Sequence, residues 1–142
     1  TGRSDATLNR GGVRLGTAEF YAVLDPMAGI RDSMVLHFED PAGGMGTLVL
    51  LAVAADGSDL AATEKLLRTT IRTELSPRHV PDVVLWVPSV PRTATGKRLE
   101  IPLKRLVQGI DAGAAIDRGV LVHPEDLDGV VAAVRAVVGK DS

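Results

Sequence analysis

The stretch "TLVLLAVAA", residues 47–55, constrains this chain more than any other. After Thr47 every residue in it is apolar. It is far shorter than the ~20 residues a membrane-spanning helix needs. A continuous apolar run of this length, bounded by turn residues, reads as a buried central strand. Such a strand needs pairing partners and helices to cover it.

The surrounding sequence supplies both. "SMVLHFE" at 33–39 alternates and reads as a second strand, with "EDPAGG" turning the chain between the two. "DVVLWV" at 82–87 reads as a third. Between the second and third of these strands, Asp56, Gly57 and Ser58 lead into a helix over about 60–75. Its inner stripe is Leu67, Ile71 and Leu75, and its outer face carries Glu64, Arg68 and Arg72. Toward the N-terminus, "ATLN" and "GVRLG", joined by Arg10-Gly11, form a hairpin pattern. Thr17 is the expected N-cap of a helix over 18–28, with Glu19 in its first turn and Phe20, Val23, Leu24 and Met27 on one face. Pro102 is expected to open a short helix with Leu103, Leu106 and Val107 inward, and a linker runs through 109–122. Pro124 opens a last helix striped with Leu127, Val130, Val131 and Val134. That stripe must be buried, whether on this domain, on another part of the protein or on a second copy. The sum is an α+β domain: a small sheet of about three main strands with flanking helices and an N-terminal β-hairpin.

Composition narrows the function classes. The 16 basic and 18 acidic residues are interspersed and leave a net charge of -2, so no basic field marks a nucleic-acid or membrane-surface module. Cysteine is absent, which removes disulfides and thiolate metal sites. His37, His79 and His123 are isolated in sequence, with no metal-ligand spacing, and read as structural or solvent-facing; no metal site is expected. Trp86 reads as packing. The abrupt opening "TGRSD" reads as a fragment cut at a domain boundary, without a signal peptide and cytoplasmic by default.

The chemistry-bearing stretch is "PRTATGKRLE", residues 91–100. A phosphate-binding P-loop would need Gly where Pro91 stands and Ser or Thr where Arg98 stands, so that reading fails. A solvated surface turn is the plain alternative. The sharper one is a mobile, slim loop that delivers the Lys97 ammonium to a reacting phosphate, a task suited to a point charge on a flexible stem.

The opening "GRSDATLNRGGVRLGTAEFY" resembles the eighth core motif of the adenylate-forming enzymes: acyl-CoA synthetases, peptide-synthetase adenylation domains and luciferases. It carries Gly2-Arg3, Asp5, Gly12-Val13-Arg14 and Glu19. "PRTATGK" resembles their tenth motif through Pro91, Thr93, Gly96 and Lys97. The resemblance covers about residues 1–108 and implies the small, mobile C-terminal domain of such an enzyme, with 109–142 as a linker and tail helix. It implies ATP, with Mg2+, and coenzyme A as substrates, no tightly bound cofactor, and a larger N-terminal domain of the same chain as partner. Lys97 is then the catalytic residue of acyl-adenylate formation, worth about 3–4 kcal/mol for one well-placed donor. Asp5 is the hinge for the swing to the thioester-forming step. Arg3 and Arg14 lie toward the nucleotide, and Gly12 beside the pantetheine channel. Arg72, preceding "TELSP", would meet the 3′-phosphate of CoA, the plain alternative being a solvated charge paired with Glu64 or Asp82.

Within the family, "GTAE" looks like the acetyl-CoA and acetoacetyl-CoA synthetase branch, and "LSPRHVPD", "GKRLEIPLKRLVQG" and a further tail with its own helix favour the acetoacetyl-CoA side of it. Acetoacetate or another short acid is therefore the implied substrate. Acetyl- or other short-chain acyl-CoA synthetases, a carrier-loading adenylation domain and a non-catalytic binding module of the same fold are the alternatives. Related synthetases are regulated at the lysine loop, which implies acetylation of Lys97, with a lysine acetyltransferase and a deacetylase as partners. The isolated fragment is expected to be inactive.

Overall fold

In the computed structural model, residues 7–10, 13–38, 46–107, 121 and 123–138 are described, with side chains from Gly16 onward save that of Ile101. The expected turns at 10–11 and 39–44 fall wholly or partly outside them, as does nearly all of the 109–122 linker.

The hairpin is present as β1 (Thr7–Arg10) and β2 (Val13–Gly16), antiparallel, with Leu8 opposite Leu15. Then follow α1 (Thr17–Leu24), β3 (Ile30–Phe38), β4 (Thr47–Ala54), α2 (Leu60–Glu74), β5 (Val83–Trp86), α3 (Glu100–Val107) and α4 (Leu127–Val138). Short 3-10 turns at Pro77–His79 and Pro124–Asp126 precede β5 and α4.

The apolar run forms β4, the centre of a sheet ordered β3-β4-β5. β3 pairs with it antiparallel and β5 parallel, with α2 as the crossover to β5. Six of its eight residues are buried. Alternation assigns them to two faces. Val49, Leu51 and Val53 join Met34, Leu36 and Phe38 under α3 and α4. Leu48 and Leu50 join Val35 under Phe20, Tyr21 and Leu24 of α1 and Leu67 and Ile71 of α2. Helices on both sides explain why the run has no polar residue to spare.

Several boundaries differ from the sequence expectation for identifiable reasons. α1 stops at Leu24 rather than 28, because Pro26 lacks the N–H that would extend the ladder past the Asp25 N–H to Tyr21 carbonyl bond. Its N-cap is Gly16, and Thr17 is instead the first helical residue, fully buried. β3 begins at Ile30, three residues before the alternating run, and contains a bulge at Arg31: Ile30 faces Ala54, yet Asp32 faces Val53. α2 is capped by Asp59, whose carboxylate accepts the Ala62 N–H at 3.2 Å. α3 starts at Glu100, before Pro102.

The stripe on α4 is buried within this domain. Leu127, Val130, Val131 and Val134 enter the same cluster as Leu103, Leu106 and Val107 of α3. Arg135 fastens the two helices, donating to the carbonyls of Leu106 at 2.8 Å and Val107 at 3.0 Å. These are α3's C-terminal carbonyls, which have no intrahelical donor, so the arginine both caps and bridges.

Candidate functional site

The Lys97 stretch is a small closed turn. Thr93 N–H donates to the Lys97 carbonyl at 3.0 Å, Gly96 N–H to the Thr93 carbonyl at 2.8 Å, and Leu99 N–H to the Pro91 carbonyl at 3.1 Å. Lys97 N–H donates to Thr93 Oγ1 at 3.1 Å. Gly96 has φ +91°, a conformation that penalises any Cβ. Arg92 and Arg98 face each other as a bridge pair at the base of the turn, and Thr93 bridges to Leu121. Thr, Ala and Gly therefore appear here because the turn closes through its own backbone and one threonine hydroxyl. Lys97 is left exposed, and its ammonium is paired with nothing among the described residues.

Two arginines tie this turn to the sheet. Arg92 meets Asp32 through a forked pair, Nε to Oδ2 and Nη2 to Oδ1, each 2.7 Å, and its Nη1 also donates to the Gly96 carbonyl. Arg98 lies with Cζ 3.6 Å from the ring centre of Tyr21, a cation–π contact. Its Nε donates to the Ser33 carbonyl at 2.8 Å, and Nη2 lies 3.1 Å from Asp25 Oδ1 and 3.6 Å from Asp32 Oδ1.

Behind Arg98 is a buried polar pair. The Tyr21 hydroxyl donates to Glu100 Oε2 at 2.7 Å and accepts the Val35 N–H at 3.0 Å. Burial pushes the Glu100 carboxyl above the ordinary carboxylate range, against the Tyr21 hydrogen bond and the nearby arginines, which favour the charged form. Burial and the Glu100 charge push the Tyr21 phenol well above its usual value, so it remains a hydrogen donor. Lys97, Gly96, Arg98, Glu100 and Tyr21 line a cleft of ≈ 360 Å³ together with Asp25 and the small residues Ala18 and Ala22. The cleft is lined by one exposed ammonium, a fixed guanidinium and two small residues of α1. The ammonium and guanidinium on its lining are the groups that could meet an anion there.

The other residues singled out in the sequence are distributed as follows. Arg3, Asp5 and Gly12 lie outside the described residues. Arg14 is in β2, opposite Asn9. Arg72 is exposed in the last turn of α2, remote in sequence from the Lys97 turn. It is not paired with Glu64, which engages Arg68 at 3.3 Å, while Asp82 receives the Leu48 N–H at 2.8 Å. Trp86 packs half-buried on the α1–α2 face. His37 is buried. His79 is buried too, with Nδ1 2.7 Å from Ser76 Oγ and Nε2 2.9 Å from Glu19 Oε1. His123 is exposed beside Glu125. The 3-10 turn brings His123, Glu125 and Asp126 close enough to offer three metal-ligand atoms within 4.8 Å of one another. Asp126 already accepts the Ser89 hydroxyl at 2.9 Å, and His123 and Glu125 engage each other.

Sequence reasoning missed Asp25, Asp32, Tyr21 and Glu100 as parts of this site. The one local signal was the pair of arginines bracketing the turn. Their acidic partners, Asp32 and Asp25, lie 60 and 73 positions away and follow no motif. Among the described residues no helix is long and apolar enough to cross a membrane.

No family model matches the chain. Among curated proteins, the acetoacetyl-CoA synthetase of Caenorhabditis elegans is 36% identical over 129 residues, 89% of this chain and 18% of that protein. A malonamoyl-CoA synthetase of Penicillium aethiopicum is 39% identical over 124 residues, 84% of this chain and 17% of that protein. The chain thus spans under a fifth of the length of these relatives. Among solved structures, the acetoacetyl-CoA synthetase from Streptomyces lividans matches with a TM-score of 0.80 and 39% identity, over 95% of this chain and 20% of that one.

Proposed function

We infer, from a chain homologous to the adenylate-forming acetoacetyl-CoA synthetases and folded as their C-terminal domain, that the whole protein is an AMP-forming acid–CoA ligase. In this reading residues 1–108 are the domain that closes over a larger N-terminal domain, and 109–142 are a linker and a tail helix that completes its core. A carboxylate attacks the α-phosphate of ATP, releasing pyrophosphate. The thiol of coenzyme A then attacks the acyl carbon and releases AMP. Asp5 is the hinge between the two steps. Arg3 and Arg14 face the nucleotide, Gly12 the pantetheine channel, and Arg72 the 3′-phosphate of CoA. Mg2+ accompanies the ATP, and the enzyme is cytoplasmic.

The observation that carries the reading is the presentation of Lys97: exposed, unpaired among the described residues, and held on the lining of a cleft by a closed turn. As the carboxylate attacks, negative charge concentrates on the phosphate oxygens. A preset ammonium there lowers the barrier without reorganising at the moment of reaction, by about 3–4 kcal/mol. The substrate class is a short acid with a carbonyl at the third carbon. Acetoacetate and malonamate, the acids named for the two kinds of relatives, share that group. The acid-recognising pocket belongs to the N-terminal domain.

The same exposure makes Lys97 open to a lysine acetyltransferase, with a deacetylase to reverse it. Acetylation removes the charge and so the contact with phosphate. The experiment assays the two half-reactions of the whole enzyme separately, using ATP, acetoacetate and CoA. Lys97→Ala, or stoichiometric acetylation at Lys97, is expected to stop pyrophosphate release while thioester formation from supplied acetoacetyl-adenylate continues. Full adenylation activity with Lys97 acetylated would remove both the catalytic role and the switch.

A further inference from the structure

Asp32 is the common anchor of the two arginines that bracket the Lys97 turn. Arg92, at its start, grips both carboxylate oxygens at 2.7 Å, and Arg98, at its end, brings Nη2 to 3.6 Å from one of them. The two arginines are direct neighbours across the base of the turn, so their charges repel. The Asp32 carboxylate offsets that repulsion from a single point. The groups are partly shielded, with side-chain exposures of 23% for Asp32, 26% for Arg92 and 16% for Arg98. A forked arginine–carboxylate pair in such a setting is stronger and more directional than a surface ion pair.

The anchor is rigid. Asp32 sits in β3 at the bulge, paired with Val53 of the central strand, and its Oδ1 also accepts the Ser33 N–H at 2.9 Å. Arg31, the extra residue of the bulge, turns to solvent and pairs with Asp56. From this anchor the constraint runs to the backbone next to Lys97, because Arg92 simultaneously holds the Gly96 carbonyl.

We propose that Asp32 is a positioning residue for adenylate formation: by holding Arg92 and Arg98 at the two ends of the turn, it fixes where the Lys97 ammonium stands when the domain closes. The proposal rests on the assignment of Lys97 above. Without the Asp32 charge the fork opens, the two guanidiniums separate, and the turn loses its tie to the sheet. Misplacing a catalytic group by about 1 Å is enough to cost ~100-fold. Thioester formation, which does not use Lys97, should be indifferent.

The test uses the whole enzyme with Asp32→Asn, Asp32→Glu, Lys97→Ala and the Asp32→Asn/Lys97→Ala double variant. Asp32→Asn is nearly isosteric and keeps an oxygen for the Ser33 N–H. It should slow adenylation by about 10–100-fold and leave thioester formation from supplied adenylate within about twofold. Asp32→Glu, which keeps the charge, should retain more adenylation than Asp32→Asn. In the Lys97→Ala background, Asp32→Asn should slow residual adenylation by less than about twofold, because its effect passes through Lys97. Equal loss of both half-reactions, or losses that multiply in the double variant, would overturn the proposal. A slow Lys97→Ala enzyme beside an unimpaired Asp32→Asn enzyme sinks this proposal alone. Normal adenylation by Lys97→Ala sinks the reading of Lys97 and this proposal with it. Should Asp32→Asn fail to fold, Arg92→Lys keeps a cation on Asp32 but cannot form the fork. It should slow adenylation about 5–10-fold with thioester formation intact, and unchanged adenylation in it overturns the proposal.

Discussion

Replacing Tyr21 by Phe removes one oxygen and tests whether the polar pair behind Arg98 is built as described. The ring stays, so packing against Phe20, Leu24 and Leu50 in the α1–α2 face is retained. Two hydrogen bonds are lost. The Val35 N–H, on a strand residue 2% exposed, loses its 3.0 Å acceptor. Leaving such a donor unsatisfied costs about 1–3 kcal/mol. The Glu100 carboxylate, on a residue 6% exposed, loses its 2.7 Å donor. A hydrogen bond to a charged group contributes about 1.5–3 kcal/mol, and protonation of Glu100 relieves part of that loss. The expected sum is about 2–4 kcal/mol, or roughly 8–15 °C in Tm for a domain of this size. pH sharpens the test. The Glu100 pKa is raised in the folded state, so folding binds a proton between the ordinary 4.5 and the higher folded value. Its contribution to stability therefore falls as pH rises through that window. The Tyr21→Phe variant leaves the carboxylate less supported, which raises the folded pKa further and steepens the fall. The destabilisation measured by urea unfolding should thus be larger at pH 8 than at pH 5. A loss below about 1 kcal/mol, set against the 1–3 kcal/mol of one orphaned donor, or a loss larger in acid, would refute the reasoning.

Two activity predictions concern the whole enzyme. Arg72→Ala should raise the KM for CoA roughly tenfold, the loss of the one charge-assisted contact to phosphate proposed for it, with adenylate formation unchanged; an unchanged KM returns Arg72 to a solvated charge. Asp5→Pro fixes φ near -65° at the proposed hinge, so one half-reaction should survive and the other fail when each is timed separately; equal loss of both would indicate misfolding.

The elements that were legible in the sequence are those whose partners are repeated along the chain. The β4 run is buried at six of its eight positions, the α2 stripe at Leu67 and Ile71 with Leu75 partly so, and the α4 stripe at Leu127, Val130, Val131 and Val134, as their spacing implies. Boundaries depended on single residues whose competing roles the pattern does not weigh. Thr17 looks like a cap but is buried inside the first turn of α1, and the polar "RDS" at 31–33 hides the first part of β3. The site divides in the same way. Lys97 and its slim turn were visible because the residues that shape the turn are its own. Asp32 and Glu100 were not visible, because each acquires its role from a partner 60 or 79 positions away. A lone acidic residue carries no local mark of which cation it will meet.

That long-range wiring also explains why the turn is the meeting point of the two faces of the sheet. Arg98 stacks on Tyr21, which belongs to the α1–α2 face. Glu100, just past the turn, is bound by the same tyrosine and begins α3, whose Leu103, Leu106 and Val107 fill the opposite face. Thr93 bridges to Leu121, a buried member of that second cluster, just ahead of α4. The Lys97 turn is thus tied to α1, to the sheet through Asp32, and to the segment entering α4. Its backbone hydrogen bonds close it internally, and these three ties set its orientation. In the proposed ligase, a lysine that reaches a phosphate across a domain interface would gain little from its own loop being loose. The long side chain would supply local reach, and the proposed swing of the whole domain the travel. In that reading rigidity at the turn complements freedom at the proposed hinge: the closed turn would transmit the orientation of the domain to the ammonium, and closure of the domain would decide when that charge arrives.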